Sequence, residues 1–186
     1  MNPTTELLER IAALIHQTVR EDAARHDLLP IHLQVLGYLA RANLYSDIPV
    51  AVAEYFGISR GSVSQTIAVL ERKGLIERRS DARNRKRVHL VLTTRGQEVL
   101  EESWSQRLDH ILAGRSVTDV ATLDAGLRGL LQALQAENRQ QAFGICHRCQ
   151  HFRKESAGFR CGLTGEVLEL DQTEKLCREW TAPVSG

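Results

Sequence analysis

The four cysteines of this 186-residue chain are its most reactive side chains, and all of them lie in the last 41 residues. They are spaced C-x2-C-x11-C-x15-C, as Cys146, Cys149, Cys161 and Cys177. In a reducing compartment such clustering favours metal ligation over disulfide formation. Four thiolates complete either a tetrahedral zinc site or the ligand set of a 4Fe-4S cluster. The sequence therefore predicts a four-cysteine metal or cluster domain over residues 146–186.

The spacing of the thiols bears on the choice between zinc and iron–sulfur. Structural zinc sites usually draw their ligands from two close pairs, whereas here only Cys146 and Cys149 form a close pair. Because Cys161 and Cys177 each stand alone, the chain would wrap around a larger group. The spacing therefore favours a 4Fe-4S cluster, and zinc is the alternative.

A segment of 41 residues is too short to fold well without a staple such as a bound metal. We expect four apolar side chains to shield the group from water: Phe152, Phe159, Leu163 and Trp180. His147 and His151 flank the cysteine pair. Because four thiolates already complete a site, we expect both histidines to lie outside the ligand set.

The charge of the chain is unevenly distributed. Its formal net charge is only +1. Residues 54–95 nevertheless hold 10 Lys and Arg against 4 Asp and Glu, a local excess of +6, while residues 1–53 and 96–145 are acidic. A basic window in an otherwise acidic protein indicates a polyanionic partner, and the neutral total excludes a generally basic coating protein.

A helix-turn-helix pattern opens this window. Prolines at 30 and 49 each begin a helix, Gly57 ends the second of these, and Ser59 is a natural N-cap for the next. That next helix, over about residues 59–73, is the predicted recognition helix. The polar residues that lie off its apolar stripe have the chemistry that reaches bases and phosphates: Arg60, Ser62, Ser64 and Gln65.

After Gly74 the pattern alternates, which predicts a β-hairpin over about residues 75–93. Its tip carries four positive charges suited to phosphates or to a narrow minor groove: Arg83, Arg85, Lys86 and Arg87. A helix-turn-helix followed by a basic hairpin is typical of a winged helix that binds double-stranded DNA.

Three further helices carry broad apolar stripes. The first runs from about Leu7 to Asp27, the fifth from a capping box at 94–97 to Leu112, and the sixth from Ser116 towards Phe143. No run of apolar residues approaches the length that spans a bilayer, and no signal peptide is recognisable, so we expect a cytoplasmic protein without membrane contact.

The run ISRGSVSQTIAVLERKGLIERRSDARNRKRVHLVLTTRG resembles the multiple-antibiotic-resistance regulator (MarR) family, over about residues 4–145. The resemblance implies a winged helix-turn-helix homodimer that binds a pseudo-palindromic operator through residues 59–66, Thr66 included. It also implies that Asp81 and Arg83 shape the wing. Many members bind small aromatic effectors, for which four residues are candidates here: Tyr38, Tyr45, Trp104 and His110.

Residues 146–181 are similar to high-potential iron–sulfur proteins, with a C-x2-C-Q opening, an isolated C-x-L and a final C-x2-W. This resemblance implies a 4Fe-4S cluster held by all four cysteines and shielded by Phe152 and Trp180. The expected fold is thus mainly α with a small β-hairpin wing, a helical dimerisation scaffold in domain 1–145, and a small four-cysteine domain over residues 146–186.

The functional hypothesis is a transcriptional repressor whose operator affinity depends on the cluster or its oxidation state, transmitted through the sixth helix. The alternative is a repressor that responds to an aromatic effector and has a structural zinc tail. A redox enzyme or electron carrier is disfavoured, because the chain lacks a nucleotide-binding loop, paired catalytic carboxylates and a Ser-His-Asp or Cys-His arrangement.

Overall fold

The computed structural model of the chain describes residues 2–81, 87–156 and 158–183. Eight helices lie in these residues: α1 (Pro3–Arg25), α2 (Pro30–Arg41), α3 (Pro49–Phe56), α4 (Arg60–Arg72), α5 (Thr94–Glu101), α6 (Trp104–Ala113), α7 (Val117–Glu137) and the short α8 (Leu170–Thr173). Seven short strands accompany them: β1 (Ile76–Ser80), β2 (Val88–Leu92), β3 (Gly144–Ile145), β4 (Phe152–Glu155), β5 (Gly158–Cys161), β6 (Val167–Leu168) and β7 (Leu176–Cys177). The predicted mainly helical class with a hairpin wing is confirmed.

The main core lies between α1, α2, α3, α4 and the β1–β2 hairpin. Helix α4 presents its predicted inward stripe of Val63, Ile67 and Leu70, all at most 1% exposed. The turn before α4 is tight because Gly57 adopts a left-handed conformation, φ +62°, and ends α3. Local signals therefore place the helix-turn-helix as predicted.

The wing is an antiparallel pair, with Ile76 opposite Leu92 and Ser80 opposite Val88. At the tip end of the two strands, the Asp81 N–H donates a hydrogen bond to the Arg87 carbonyl oxygen at 3.0 Å. Residues 82–86 lie outside the described residues. The following helix is capped by Thr93, whose side chain accepts from the Gly96 N–H, and not by Thr94 as the capping box predicted.

The predicted single fifth helix is wrong, because the chain breaks at residues 102–103 into α5 and α6. At the break Ser103 is 2% exposed, and its hydroxyl donates to the Leu100 carbonyl oxygen at 2.6 Å. Asp22 of α1 accepts the N–H of Trp104, the first residue of α6, at 2.7 Å. This contact joins two residues that are 82 positions apart in sequence. It provides an acceptor for the first N–H of α6, which the break would otherwise leave unpaired.

Helix α7 has no buried residue within the single chain, although its apolar stripe is as predicted. It ends at Glu137 and so does not extend to Phe143. Instead Arg139 takes a left-handed conformation, φ 52°, and Phe143 returns to the main core. There its ring meets that of Tyr55 edge-on, with 5.2 Å between centroids.

The C-terminal residues form two small sheets around the cysteines. Strand β3 pairs with β7, and strands β4, β5 and β6 form a three-stranded antiparallel sheet. A second, smaller apolar cluster lies there, with Tyr45, Cys146, Leu168 and Cys177 at its centre. No helix among the described residues is both long and apolar enough to cross a bilayer.

Candidate nucleic-acid interface and cysteine site

The outer face of α4 presents the predicted polar side chains to solvent. Arg60, Ser62, Ser64 and Gln65 are all exposed. Ser59 is the N-cap, and its hydroxyl oxygen accepts from the Ser62 N–H at 3.1 Å. The four polar side chains project from a helix whose opposite face is fixed in the core, so they form one surface that a DNA groove could meet.

Thr66 does not belong to this surface. The resemblance places it among base-facing residues, but its side chain is only 5% exposed. It lies three residues after Val63 and next to Ile67, on the inward face of α4, and this part of the prediction is wrong. The buried stripe is wider than a simple three-four spacing because α2, α3 and β1 all pack against this helix.

The charged tip of the predicted wing lies mostly outside the described residues, which include Arg87 but not Arg83, Arg85 or Lys86. Asp81 has a partner that sequence analysis missed. His89 on β2 lies 3.0 Å from Asp81 through Nε2 and 2.6 Å from Asp47 through Nδ1. Because Asp47 precedes α3, His89 clamps the outer part of the wing strands to the helix-turn-helix.

The clamp sets a pH dependence. Burial alone would lower the pKa of His89, but hydrogen bonds with Asp81 and Asp47 outweigh it and raise that pKa above its ordinary 6.5. Burial raises the pKa of Asp47 despite its bond to His89, so desolvation offsets part of the ion-pair attraction. Arg87 also acts on Asp47 with its positive charge.

A histidine whose folded-state pKa is raised stabilises the fold fully below its unfolded pKa, and the contribution is lost as pH rises through the folded value. We therefore expect the free energy of unfolding of the wild type to fall as the pH rises above about 6.5, and His89→Gln to reduce that slope. Urea denaturation at several pH values measures it. Equal slopes for wild type and His89→Gln would contradict the prediction, and His16→Gln, on the exposed side of α1, is the matched control.

The four cysteines come together. All four have free thiols, and all four line one small cavity with a volume of about 10 Å³. The cavity is also lined by five other side chains: Tyr45, His151, Phe152, Leu168 and Glu179. The structure thus joins cysteines that are up to 31 positions apart in sequence.

The predicted aromatic shield is present in part. Phe152 lines the cavity and stacks on Phe159, with 5.4 Å between ring centroids. Trp180 packs over Gly144, where an added Cβ would lie 2.5 Å from its indole ring, and its Nε1 donates to the Arg148 carbonyl oxygen. Leu163 is 52% exposed and does not line the cavity, because it lies in the turn between β5 and β6; its predicted shielding role is wrong.

Polar groups lie beside two of the sulfur atoms, those of Cys149 and Cys177. The Thr181 N–H donates to Cys149 Sγ at 3.4 Å. Burial raises the pKa of Cys177, and the nearby Asn43 amide and Glu179 backbone oppose this rise. Burial also raises the pKa of Cys146 to about 12, and the three other thiols add to this shift. Without a cation in the cavity these buried groups are therefore neutral thiols.

Within the described residues, no three His, Cys, Asp or Glu side chains are arranged to hold a single metal ion. The four thiols nevertheless share one cavity, and the Thr181 N–H donates to the sulfur of one of them, Cys149. Four thiols around one cavity have the donor chemistry of a four-cysteine metal or cluster site. His147, which lies 3.2 Å from the Thr173 carbonyl oxygen, points away from the cavity, whereas His151 lines it.

The four candidate effector residues do not form one site. Tyr38 is fully buried in the core, Tyr45 lines the cysteine cavity and His110 is exposed on α6. Trp104 lines a separate pocket of about 560 Å³ bounded by α1, α2, α3 and the α5–α6 break, together with Tyr55 and Phe56.

Comparison with known proteins finds similarity in the winged-helix part of the chain. The family model for the MarR family matches residues 26–87. A MepR mutant from a multidrug-resistant S. aureus clinical isolate is 23% identical, covers 73% of this chain and 100% of its own, and superposes with a TM-score of 0.60. An S. aureus MepR–DNA complex is 24% identical, with 70% and 96% coverage and a TM-score of 0.56.

The apo form of wild-type MarR from E. coli is 18% identical, with 70% and 98% coverage and a TM-score of 0.51. At these identities the likeness concerns the fold. The chain therefore has the winged-helix fold of the MarR-type regulators, and its residues 26–87 match the MarR family.

Proposed function

We propose that this chain is a sequence-specific DNA-binding transcriptional regulator, acting as a repressor, in which α4 enters the major groove. The observation that carries the proposal is the division of α4 into two faces. Val63, Ile67 and Leu70 fix the helix in the core, while its opposite face exposes an arginine, serines and a glutamine. The similar fold of MepR, which has been crystallised with DNA, supports the same use of the fold.

A homodimer would present two such helices to a pseudo-palindromic operator. Support comes from apolar side chains left exposed in the single chain. On α1 Leu7 is 62% exposed, and α7 exposes a whole row of leucines: Leu123, Leu127, Leu130, Leu131 and Leu134. Exposed apolar faces of this extent on two long helices are typical of an interface, and a second copy would cover them.

The DNA-binding part is tested with two variants of α4. We expect Arg60→Ala to weaken binding on all DNA sequences and to flatten the salt dependence by about one phosphate contact, whereas Gln65→Ala changes base preference at one position of each half-site. Operator selection from a random pool, followed by titration at several salt concentrations, measures both effects. Lys154→Ala, an exposed charge outside the basic window, is the matched control. Wild-type affinity and base preference in both variants would contradict the proposal.

The second part of the proposal is a 4Fe-4S cluster held by the thiolates of Cys146, Cys149, Cys161 and Cys177, whose presence or oxidation state modulates operator affinity. Such a cluster supplies one-electron chemistry and sensitivity to oxidants and iron supply. The chain's own contribution is a partly enclosed cavity, the Thr181 N–H that donates to the Cys149 sulfur, and the stacked pair of Phe152 and Phe159, which excludes water from one side.

An alternative combines a structural zinc tail with an aromatic effector. The pocket of about 560 Å³ beside Trp104 favours it, since aromatic and apolar side chains line the pocket together with polar Gln34 and Ser103. The two readings differ in what the four thiols hold and in what changes operator affinity.

Anaerobic purification followed by iron, sulfide and zinc analysis separates the two. We expect about four iron and four sulfide per chain and a broad visible absorption. We also expect holo protein and protein stripped by a chelator to differ in operator dissociation constant by about 5- to 150-fold, the usual range of allosteric coupling. One zinc per colourless chain would overturn the cluster, and equal affinities of holo and apo protein would make the cluster structural.

A further inference from the structure

The cysteine unit docks on the segment that joins α2 to α3, residues 42–48, here called the α2–α3 connection. Three backbone N–H groups mark the contact. The Asn43 N–H donates to the Leu176 carbonyl oxygen at 2.9 Å, the Leu44 N–H to Gln172 Oε1 at 3.1 Å, and the Arg178 N–H to Ser46 Oγ at 2.8 Å. The winged-helix unit and the cysteine unit therefore meet through directed hydrogen bonds.

The side chain of Tyr45 passes from this connection into the cysteine cavity. It is 7% exposed and lines the cavity alongside all four cysteines. Its hydroxyl donates to Glu166 Oε2 at 2.7 Å and lies 3.0 Å from Thr164 Oγ1. One wall of the cysteine cavity is thus supplied by the winged-helix unit.

Asn43 lies near Cys177, behind the residues that line the cavity. The residue is 1% exposed, and its Oδ1 accepts from the Tyr45 N–H at 3.0 Å and from the Ser46 hydroxyl at 2.8 Å. These two bonds fix the orientation of the amide. Its Nδ2 has no hydrogen-bond partner within the described residues, and Cys177 lies near it. A buried donor without a strong acceptor is costly, and a metal-bound thiolate is a stronger acceptor than a thiol.

The same connection positions the DNA-binding elements. The Asp47 carbonyl oxygen accepts from the Leu90 N–H of the wing at 2.7 Å, and the Asp47 carboxylate binds His89. Tyr38 of α2 donates its hydroxyl to the Ser46 carbonyl oxygen at 2.7 Å. Helix α3 begins two residues after Asp47. A shift of residues 43–47 would therefore move the wing and α3 together.

A second link joins the cysteine unit to α3 itself. Arg178, the residue after Cys177, makes a bidentate ion pair with Glu54 of α3, at 2.8 and 2.9 Å. Towards α7, the sequence-predicted route, Arg148 approaches Asp124 at 3.3 Å, a pair that is about half exposed. Exposed pairs of this kind contribute little. The stronger contact of the cysteine unit is therefore the one with the helix-turn-helix.

We propose that Asn43 and Tyr45 complete the metal-group site from the winged-helix unit, Asn43 as the hydrogen-bond donor to the Cys177 sulfur and Tyr45 as a wall of the cavity. Occupancy of the site then fixes the α2–α3 connection, and with it the wing and α3. This inference rests on the proposed function. It assigns the sensing contact to two residues outside the cysteine unit.

The test uses full-length protein reconstituted anaerobically with iron and sulfide. Asn43→Asp keeps the Oδ1 acceptor and removes the N–H donor, Tyr45→Ala opens the cavity, and Tyr45→Phe removes only the hydroxyl. Leu44→Ala, a 54%-exposed neighbour in the same connection, is the matched control. The readouts are iron and sulfide per chain, the half-life of the visible absorption in air, and the ratio of operator dissociation constants without and with the group.

We expect Asn43→Asp and Tyr45→Ala to shorten the half-life by about 10-fold or more and to bring the dissociation-constant ratio close to 1, with wild-type values for Leu44→Ala. Tyr45→Phe, which keeps the ring, should have a half-life and a dissociation-constant ratio between those of Tyr45→Ala and those of Leu44→Ala. Thermal melting of the apo proteins controls for folding. Wild-type half-life and ratio in all three variants would overturn the inference.

Failure of the proposed function gives a different result. If wild-type protein takes up neither iron nor sulfide, the cluster is refuted, and the same variants are then loaded with zinc alone. Loss of zinc to a chelator about 10-fold faster in Asn43→Asp and Tyr45→Ala than in Leu44→Ala would still support the role of these two residues. Equal rates would refute that role as well.

Discussion

Replacing Asp22 by alanine should lower the free energy of unfolding by about 3 kcal/mol, a large share of the stability of a domain of this size. Asp22 is 3% exposed, and its carboxylate accepts from the Trp104 N–H at 2.7 Å and from the Arg107 guanidinium at 2.9 and 3.0 Å; Arg25 also contacts it. Removal leaves a buried helix-terminal N–H without its acceptor and separates α1 from α6. Both arginines are about half exposed, so water relieves part of the loss.

Urea denaturation followed by circular dichroism measures this effect, at several protein concentrations because α1 and α6 also belong to the proposed dimer scaffold. Asp22→Asn retains an acceptor for the Trp104 N–H and should lose less than Asp22→Ala. Glu98→Ala, an exposed carboxylate on α5, is the matched control and should change stability by less than about 0.5 kcal/mol. An Asp22→Ala protein as stable as this control would contradict the assignment of Asp22 as the link between α1 and α6.

The helix-turn-helix was predictable because its boundaries are set by residues within a few positions of each helix end. Pro30 and Pro49 begin helices since their missing N–H is not needed there, Gly57 takes the left-handed conformation that ends α3, and Ser59 caps α4. None of these signals depends on distant parts of the chain. Thr66 was misassigned for the opposite reason, since its burial depends on what packs against α4.

The break between α5 and α6 could not be predicted, because residues 97–112 carry an uninterrupted helical stripe. What stabilises the break is the carboxylate of Asp22, which reaches the first N–H of α6 from another helix. The clamp at His89 is similar. A lone histidine in a strand has no sequence signal, and its partners Asp47 and Asp81 come from different loops.

The four thiols of the cysteine cavity were predictable, and the other residues that line it were not. The reactivity of cysteine side chains and their clustering in the sequence identified four thiols, and in the structure these thiols line one cavity. Leu163 was chosen because it is apolar and close in sequence to Cys161, yet the turn after β5 directs it to solvent. Tyr45 was considered only as an effector residue, because it lies more than 100 positions from the cavity that it lines.

The second large effect concerns Cys161. It lies at the end of β5, opposite Phe152, and is less buried than Cys146 and Cys177, so its replacement disturbs packing least among these three. We expect Cys161→Ala, purified anaerobically, to lose the visible absorption and nearly all bound iron and sulfide. The small C-terminal unit, which has little core of its own, should then unfold at lower temperature than in the holo wild type.

His151 is the discriminating control for this prediction, because it lines the same cavity without belonging to the proposed ligand set. His151→Ala should keep iron, sulfide and absorption. If His151→Ala lost the group while Cys161→Ala retained it, the ligands would be three thiolates and an imidazole, and the cavity would have to rearrange to bring His151 inward. Full iron and sulfide in both variants would refute the four-cysteine assignment. Loss of iron and sulfide in Cys161→Ala alone would place the third ligand on β5. That strand pairs with β6, and the chain continues from β6 through α8 to Leu176, whose carbonyl oxygen accepts the Asn43 N–H.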